Sequence, residues 1–564
     1  MKRMSIIFII IFSVFLLSHC AEEHTLVIRN AKIFTVDKDN PIATAVAVKG
    51  EFIIGVGSDS YIEQFIEEGK TEVIDAGGRL VTPGFNDAHV HFGGIDPDFI
   101  DLRYITDPNI ITERVKEKIA QVEPGVMING GRWEHEMFKD RKWPTKELID
   151  DVAPDNPVAL RRADGHSVLV NSYVLEKSGI TKDGPPDPPG GEIQRDPVTG
   201  EPTGIIKELA RRLLKYGAVE VEITPEVKEA KRIREWEAAF DMAKSLGVTT
   251  IHLVPGNFGI FEEFQEMGKL TLRAYVGQRL DSLTTEMLER YVVLKKKYPL
   301  EDNWIRFGVL KGHIDGTLGS ATMLVFEPFK DEPDKTGLPF QEYEELERII
   351  VEADKMGFQV AIHAIGPRGN HLTLNAIQKA LELNGDKGLR HRIEHSQFLI
   401  DSDIPRYAEL GVIASMQPTH CITDKRFAEK RVGLERCKGA YAWRSLLNTG
   451  AKIAFGTDYG VEPLDPMEGL YAAVTRKDRA GEPGDGWFPE QKLTMEEAIE
   501  LYTLGSAYSE FMEDRKGMIK QGYLADIVIL NQDLLTIPHD RIMSTKVDYT
   551  IVGGKVVYTR EGVK

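Results

Sequence analysis

Cysteine is nearly absent: Cys20, Cys421 and Cys437 are the only three in 564 residues. So few thiols exclude a disulfide scaffold, all the more if Cys20 is consumed in processing. Positive charge is also short. Lysine and arginine total 70 against 88 acidic residues, a formal net charge of −18, and a nucleic-acid-binding face demands the opposite balance. No apolar run reaches the ~20 residues of a bilayer-spanning helix, which excludes a polytopic membrane protein. No internal repeat or low-complexity tract stands out, so solenoids and fibrous arrays fall away as well. What is present is ordinary globular composition, 42% hydrophobic and 28% charged. At roughly 150 residues per domain, the length allows three to four domains or one large barrel with satellites. A chain this long buries a sizeable core without covalent staples.

The first twenty residues read as an address. Lys2 and Arg3 precede an apolar run from Ile6 to Leu17, broken only by Ser13. A run of about a dozen residues fits a secretory signal better than a permanent span. It ends Leu17-Ser18-His19-Cys20, which resembles a bacterial lipobox, where a lipidated cysteine becomes the mature N-terminus. Residues 1–20 are therefore expected to be a signal peptide of lipoprotein type. The expected location is the cell envelope, with a lipid anchor to the membrane through Cys20. Otherwise the protein is expected to be periplasmic or extracellular.

Residues 21–82 carry the runs TLVIRNAKIFTV and ATAVAVKGEFIIGVG, whose period-two alternation between turn residues predicts short strands. Residues 517–564 read the same way, with ADIVILNQD and then VDYTIVGGKVVYTR around a Gly553-Gly554 turn. The two ends together predict one small sheet domain assembled from both termini. Between them, in 83–516, short apolar runs recur near 79–92, 248–255, 272–277, 306–315, 358–364, 391–396, 411–417 and 452–458. Amphipathic stretches such as EYEELERIIVEADKMG precede several of them. Buried-type strands alternating with helices in this way predict an α/β fold, a parallel (β/α)8 barrel of the TIM type. The spacing is regular except after the first run. There, about 97–230, rich in proline and glycine, is expected to be a cap inserted on the catalytic face.

Barrels of this type carry their reactive groups at the C-terminal ends of the strands. The first run ends Asp87-Ala88-His89-Val90-His91, and period two puts His89 and His91 on one face. Lys311 lies in the fourth run; His363, His395 and Asp458 end the fifth, sixth and eighth. Taken singly, each has an ordinary explanation. A histidine at a strand end is most often a hydrogen-bonded scaffold residue, an aspartate after Gly-Thr a turn former, a lysine in an apolar strand a snorkelling one. Their joint occurrence at one end of successive strands is what those explanations do not cover. Imidazole and carboxylate suit Zn2+ or a neighbouring divalent metal, one or two per chain. His252 and His313 stand between supporting and packing roles. For substrate contacts the candidates are Trp133, Asp164, His166, Gln417 and His420, all on predicted loops.

This set resembles the metal-dependent amidohydrolase superfamily over nearly all of the chain beyond residue 20. PGFNDAHVHF is similar to the entry motif of that superfamily, and VKGEFIIGVG, GYLADIVILNQD and TIVGGKVVY to its bipartite β-sandwich. RRADGHSVLVNS, PPGGEIQRDPVTGEPTG, VLKGHIDGTLGS, HAIG and RIEHS resemble the narrower amidohydrolase family 3, the branch of YtcJ-like proteins and N-substituted formamide deformylases. One departure is visible: HAIG is followed by Pro367 where that family has aspartate. The resemblance implies that His89 and His91 bind one metal and His363 and His395 a second. It also implies that Lys311 bridges them as an N-carboxylated lysine. With Lys311 unmodified, a single-metal site built on His89, His91 and Asp458 is the alternative.

The activity so implied is a metal-dependent hydrolase cleaving a non-peptide or N-acyl amide-type C–N bond of a small molecule. Attack by metal-bound hydroxide is expected, with Asp458 as general base and then acid. A deaminase or an ester or lactone hydrolase is the alternative on the same metals. An envelope ligand-binding protein without catalysis is the alternative of another class. A homodimer is one assembly open to a chain of this size.

Overall fold

The computed structural model describes residues 24–163, 167–188, 191–217 and 224–563. The signal-type segment with Cys20 lies outside the described residues, as do Asp164 and His166.

Eight parallel strands form one sheet in strict chain order. They are β1 (Phe85–Val90), β2 (Val248–Leu253), β3 (Arg273–Arg279), β4 (Ile305–His313), β5 (Val360–Ala364), β6 (Arg392–His395), β7 (Ile413–Met416) and β8 (Lys452–Phe455). β1, β2, β6 and β7 are buried along their whole length, as strands covered on both faces must be. The seam between β8 and β1 is stitched by backbone. Asp458 N–H donates to His89 O at 2.8 Å, and His91 N–H to Tyr459 O at 2.7 Å. The fold is thus the (β/α)8 barrel predicted from the apolar runs.

The helices form for local reasons. In Tyr343–Lys355 the buried residues Leu346, Ile349, Ile350 and Ala353 fall at helical spacing, and Gly357 follows in the left-handed conformation (φ 76°) that closes a helix. No helix among the described residues is long and apolar enough to cross a membrane.

Both chain ends meet in the β-sandwich. A four-stranded sheet orders Phe52–Gly57, Ala45–Lys49, Thr25–Arg29 and Thr71–Asp75. A six-stranded sheet pairs the C-terminal strands Lys555–Thr559, Val547–Val552 and Ile527–Leu530 with Leu80–Pro83, Lys32–Phe34 and Ile42–Ala43. Leu26, Ile28, Val46, Val48, Val81, Ile527, Ile529 and Ile551 share one buried core. Residues from the two termini therefore bury each other's apolar faces, which neither set could do alone.

The chain between β1 and β2 contains a separate unit, Gly93–Ala239. Its six-stranded sheet runs Gly191–Arg195, Pro202–Glu208, Ser167–Val170, Val158–Arg162, Ile128–Trp133, Ile100–Asp101. Leu102, Ile111, Val115, Trp133, Phe138 and Leu160 belong to its core.

Ile551 is fully buried in the sandwich core. Truncation to alanine there should lower stability by about 2–5 kcal/mol, read as a fall in the denaturant midpoint. A shift within experimental error would show that Ile551 does not hold the sandwich core together.

Candidate metal centre

The C-terminal ends of β1, β4, β5, β6 and β8 bring the predicted residues to one mouth. His89 Nε2 lies 3.7 Å and His91 Nε2 3.4 Å from Asp458 Oδ1. The His395 ring is 4.9 Å from that of His89 and 4.5 Å from that of His363. Ligand atoms of His89, His91 and Asp458 all lie within 4.8 Å of one another, and so do those of His395, His420 and Asp458. His363 and Lys311 belong to neither trio. Lys311 is buried, and among the described residues it makes no hydrogen bond or ion pair. Its charge is nevertheless felt at His89, His91, His363 and His395.

The residues fit a cation. His89 Nε2 and Asp458 Oδ1 are buried without a hydrogen-bond partner among the described residues. Leaving such atoms unsatisfied costs roughly 1–3 kcal/mol each. A divalent ion contacting both removes that penalty, and the donor types are those zinc prefers.

Three of the rings have an acceptor on their far side. His89 Nδ1 sits 2.5 Å from Glu394 Oε2, so its proton belongs there and Nε2 keeps a lone pair. His395 Nδ1 donates to Gln417 Oε1 at 2.8 Å, and Gln417 Nε2 donates to Ser415 O, which fixes the amide's orientation. His363 Nε2 donates to Gly316 O at 3.2 Å, so Nδ1 keeps its lone pair.

Burial is the largest influence on these groups. It drives His89 down to about 4, helped by the Lys311 charge and opposed by Glu394. It holds His363 and His395 well below the usual imidazole value, with neighbouring cationic groups adding to it. It also lowers Lys311 to about 8, against the pull of Glu394 and Asp458. For Asp458 burial acts upward but loses to the hydrogen bond from His420 and the imidazoles of His89 and His91, which hold it at about 2. The mouth therefore offers neutral imidazoles at His89, His363 and His395, an ionised carboxylate and an amine poised to lose its proton. At His420 burial acts downward but loses to Asp458 and Glu462, which raise it to about 9.

Backbone geometry sets the edge of the site. His395 (φ 76°) and Asp458 (φ 58°) both occupy the left-handed region, rare for residues with a side chain and frequent at functional sites. Asp87 ties β1 to the β8 turn. Its carboxylate accepts from His89 N–H, Thr457 N–H and Thr457 Oγ1 at 3.2, 2.9 and 2.5 Å.

The substrate-contact expectations fare differently. Trp133 is corrected: it is fully buried in the Gly93–Ala239 unit and donates its indole N–H to Leu160 O at 2.9 Å. It packs a core and offers no surface to a substrate. Gln417 is also corrected, since its buried amide is spent on His395 and Ser415. His420 stands beside Asp458, Nε2 to Oδ2 3.1 Å, among the ligand candidates. Sequence reasoning missed Glu394 and the bracing role of Asp87. The signal for Glu394 was available: β6 reads Arg-Ile-Glu-His and is buried throughout, and charges in such a strand need partners.

A barrel with neutral imidazoles and a carboxylate converging on unsatisfied buried atoms defines a metal-dependent hydrolase. Comparison with known proteins gives the family. Residues 72–558 match the model of the amidohydrolase family. The chain is 31% identical over 538 residues to YtcJ of Bacillus subtilis (strain 168), covering 94% of this chain and 98% of that protein. It is 27% identical over 559 residues to the N-substituted formamide deformylase of Arthrobacter pascens, covering 95% and 99%. An uncharacterized metal-dependent hydrolase from Pyrococcus furiosus superposes with a TM-score of 0.64 at 27% identity, over 91% of this chain and 100% of that one. The protein belongs to the amidohydrolase family and is a hydrolase acting on C–N bonds.

Replacing His89 and His91 together by alanine should abolish bound divalent metal, measured by atomic emission on the purified protein, while far-ultraviolet circular dichroism stays unchanged. Full metal content in that variant would exclude the β1 pair as ligands.

Proposed function

We propose that the enzyme hydrolyses an N-acyl or other non-peptide amide bond of a small molecule, releasing a carboxylic acid and an amine. The observation that carries this reading is the unsatisfied pair His89 Nε2 and Asp458 Oδ1, 3.7 Å apart at the barrel mouth. Similarity along nearly the whole chain to a protein named for N-substituted formamides favours the amide bond over an ester.

His89, His91, His363, His395 and Asp458 would hold one or two divalent ions, Zn2+ by donor chemistry. When bound, such an ion supplies Lewis acidity that polarises a carbonyl and lowers the pKa of water. Lys311 joins the ligand set once its amine adds to CO2: the N–C bond forms, one proton leaves, and the carbamate carries the negative charge. Burial, which brings Lys311 to about 8, makes the neutral amine available for that addition.

Asp458 takes the proton from the attacking water. Its carboxylate is ionised at neutral pH and has Oδ1 free of hydrogen bonds among the described residues. The hydrogen bond from His420 to Oδ2 fixes the plane of that carboxylate. The same Asp458 then delivers the proton to the leaving nitrogen as the C–N bond breaks, so that acid and amine balance the water consumed.

Three measurements test this. In a panel of N-formyl and N-acyl amines, esters and aminated heterocycles, the amides should turn over to carboxylate and amine. Ammonia from the heterocycles alone would point to deamination, and carboxylate and alcohol from the esters alone to an esterase. Asp458→Asn should reduce kcat by about 10²–10⁴-fold with metal retained, and turnover near wild type would remove Asp458 from the mechanism. Carbon-13 bicarbonate should give a carbamate resonance that is lost in Lys311→Met; its absence from the wild type would leave Lys311 unmodified.

A further inference from the structure

The polar interior does not stop at the metal centre. Arg392, two residues before Glu394 on the same face of β6, is fully buried and spends its guanidinium on four strands at once. Its Nε donates to Glu394 Oε1 at 2.7 Å. One terminal nitrogen donates to His252 Nδ1 of β2 at 2.9 Å. The other reaches Ala88 O of β1 at 2.6 Å, Glu394 Oε2 at 3.1 Å and Ser415 Oγ of β7 at 3.0 Å. Ser415 Oγ in turn donates to Glu394 Oε2 at 2.7 Å.

Arginine only donates, so His252 accepts at Nδ1 and carries its proton on Nε2. That nitrogen faces Glu510 Oε1 at 3.5 Å. Glu510 is itself clasped by Asn86 of β1 and Lys516, each at 2.6 Å, and by Arg306 of β4. A continuous set of buried groups therefore runs from Glu510 through His252 and Arg392 to Glu394, which holds His89.

We propose that Arg392 is a positioning residue for the metal centre. Its planar fork sets Glu394 against His89 Nδ1 and pins the β1 backbone at Ala88, so that His89 Nε2 is aimed before any ion arrives. The proposal rests on the metal-centre reading above.

The test uses the full-length protein stripped of metal by a chelator. Zn2+ affinity is measured against a competing dye, and ligand geometry by the visible absorption of the Co2+-loaded form. Arg392→Gln and Arg392→Lys should each weaken Zn2+ binding about 10–100-fold and alter the Co2+ spectrum, because a lysine cannot reproduce the fork. Arg273→Lys is the control. Arg273 is also a buried barrel arginine but is held by Asp526 at 2.8 Å, outside this set, and both readouts should stay at wild type. Wild-type affinity and spectrum in Arg392→Lys overturn the proposal, as does an equal loss in Arg273→Lys. If the Arg392 variants do not fold, Ser415→Ala decides: a loss of roughly threefold or more is expected, and unchanged affinity overturns the proposal. Failure of the wild type to bind either ion would instead sink the metal-centre reading itself and the proposal with it.

Discussion

An imidazole nitrogen can serve a cation only when the ring's proton sits on its other nitrogen. At this barrel mouth that requirement is met by dedicated acceptors: Glu394 for His89, Gln417 for His395 and the Gly316 carbonyl for His363. Each acceptor comes from a different element, so the tautomers are a property of the closed barrel and not of any short motif. Burial serves the same end by keeping the rings neutral. At His89 and His363 the acceptor's hydrogen bond favours the charged ring, and desolvation outweighs it, so the acceptor fixes the tautomer while burial fixes the charge.

The seam between β8 and β1 is where this arrangement is most exposed to failure. Gly456 precedes Thr457 and Asp458, and a Cβ at that position would lie 2.6 Å from His89 N and 2.7 Å from Asp87 Oδ1. Only a residue without a side chain lets the two strand ends approach closely enough for Asp87 to grip Thr457. The left-handed backbone of Asp458 follows at once. Strain of that kind is held only when the surroundings over-determine it, and the Asp87 clasp with the Asp458-to-His89 backbone bond supplies the constraint.

Much of this was legible in the sequence because strand ends are local signals. His-x-His after an apolar run, a histidine closing RIEHS and an aspartate closing KIAFGTD need only period-two and barrel logic to be brought together. The supporting residues were harder. Glu394 and Arg392 declare themselves only through partners hundreds of positions away, such as His89 and Ala88. Gln417 was noticed for its place after β7, but a loop glutamine carries no mark of whether its amide faces substrate or a neighbouring ring. Trp133 failed for a related reason: a Gly-Gly-Arg-Trp segment suggests a loop, whereas the strand Ile128–Trp133 turns the indole into a separate core. Composition identifies a large aromatic; only packing decides what it touches.

TIM-type barrels ordinarily fill their interior with branched apolar side chains, and this one places Arg392, Glu394, Arg306, Glu510 and Lys516 there instead, all buried. Ion pairs so deep add little net stability over an apolar filling, but losing one partner strands the other at a cost of about 3–5 kcal/mol. The set is therefore cooperative by construction: each charge tolerates burial only because the next one is present. That logic runs from Glu510 on the His252 side up to Glu394, and from there to His89. It ends at two atoms with no protein partner among the described residues, His89 Nε2 and Asp458 Oδ1. Those two atoms lie 3.7 Å apart at the mouth, where a cation would complete the valences of both.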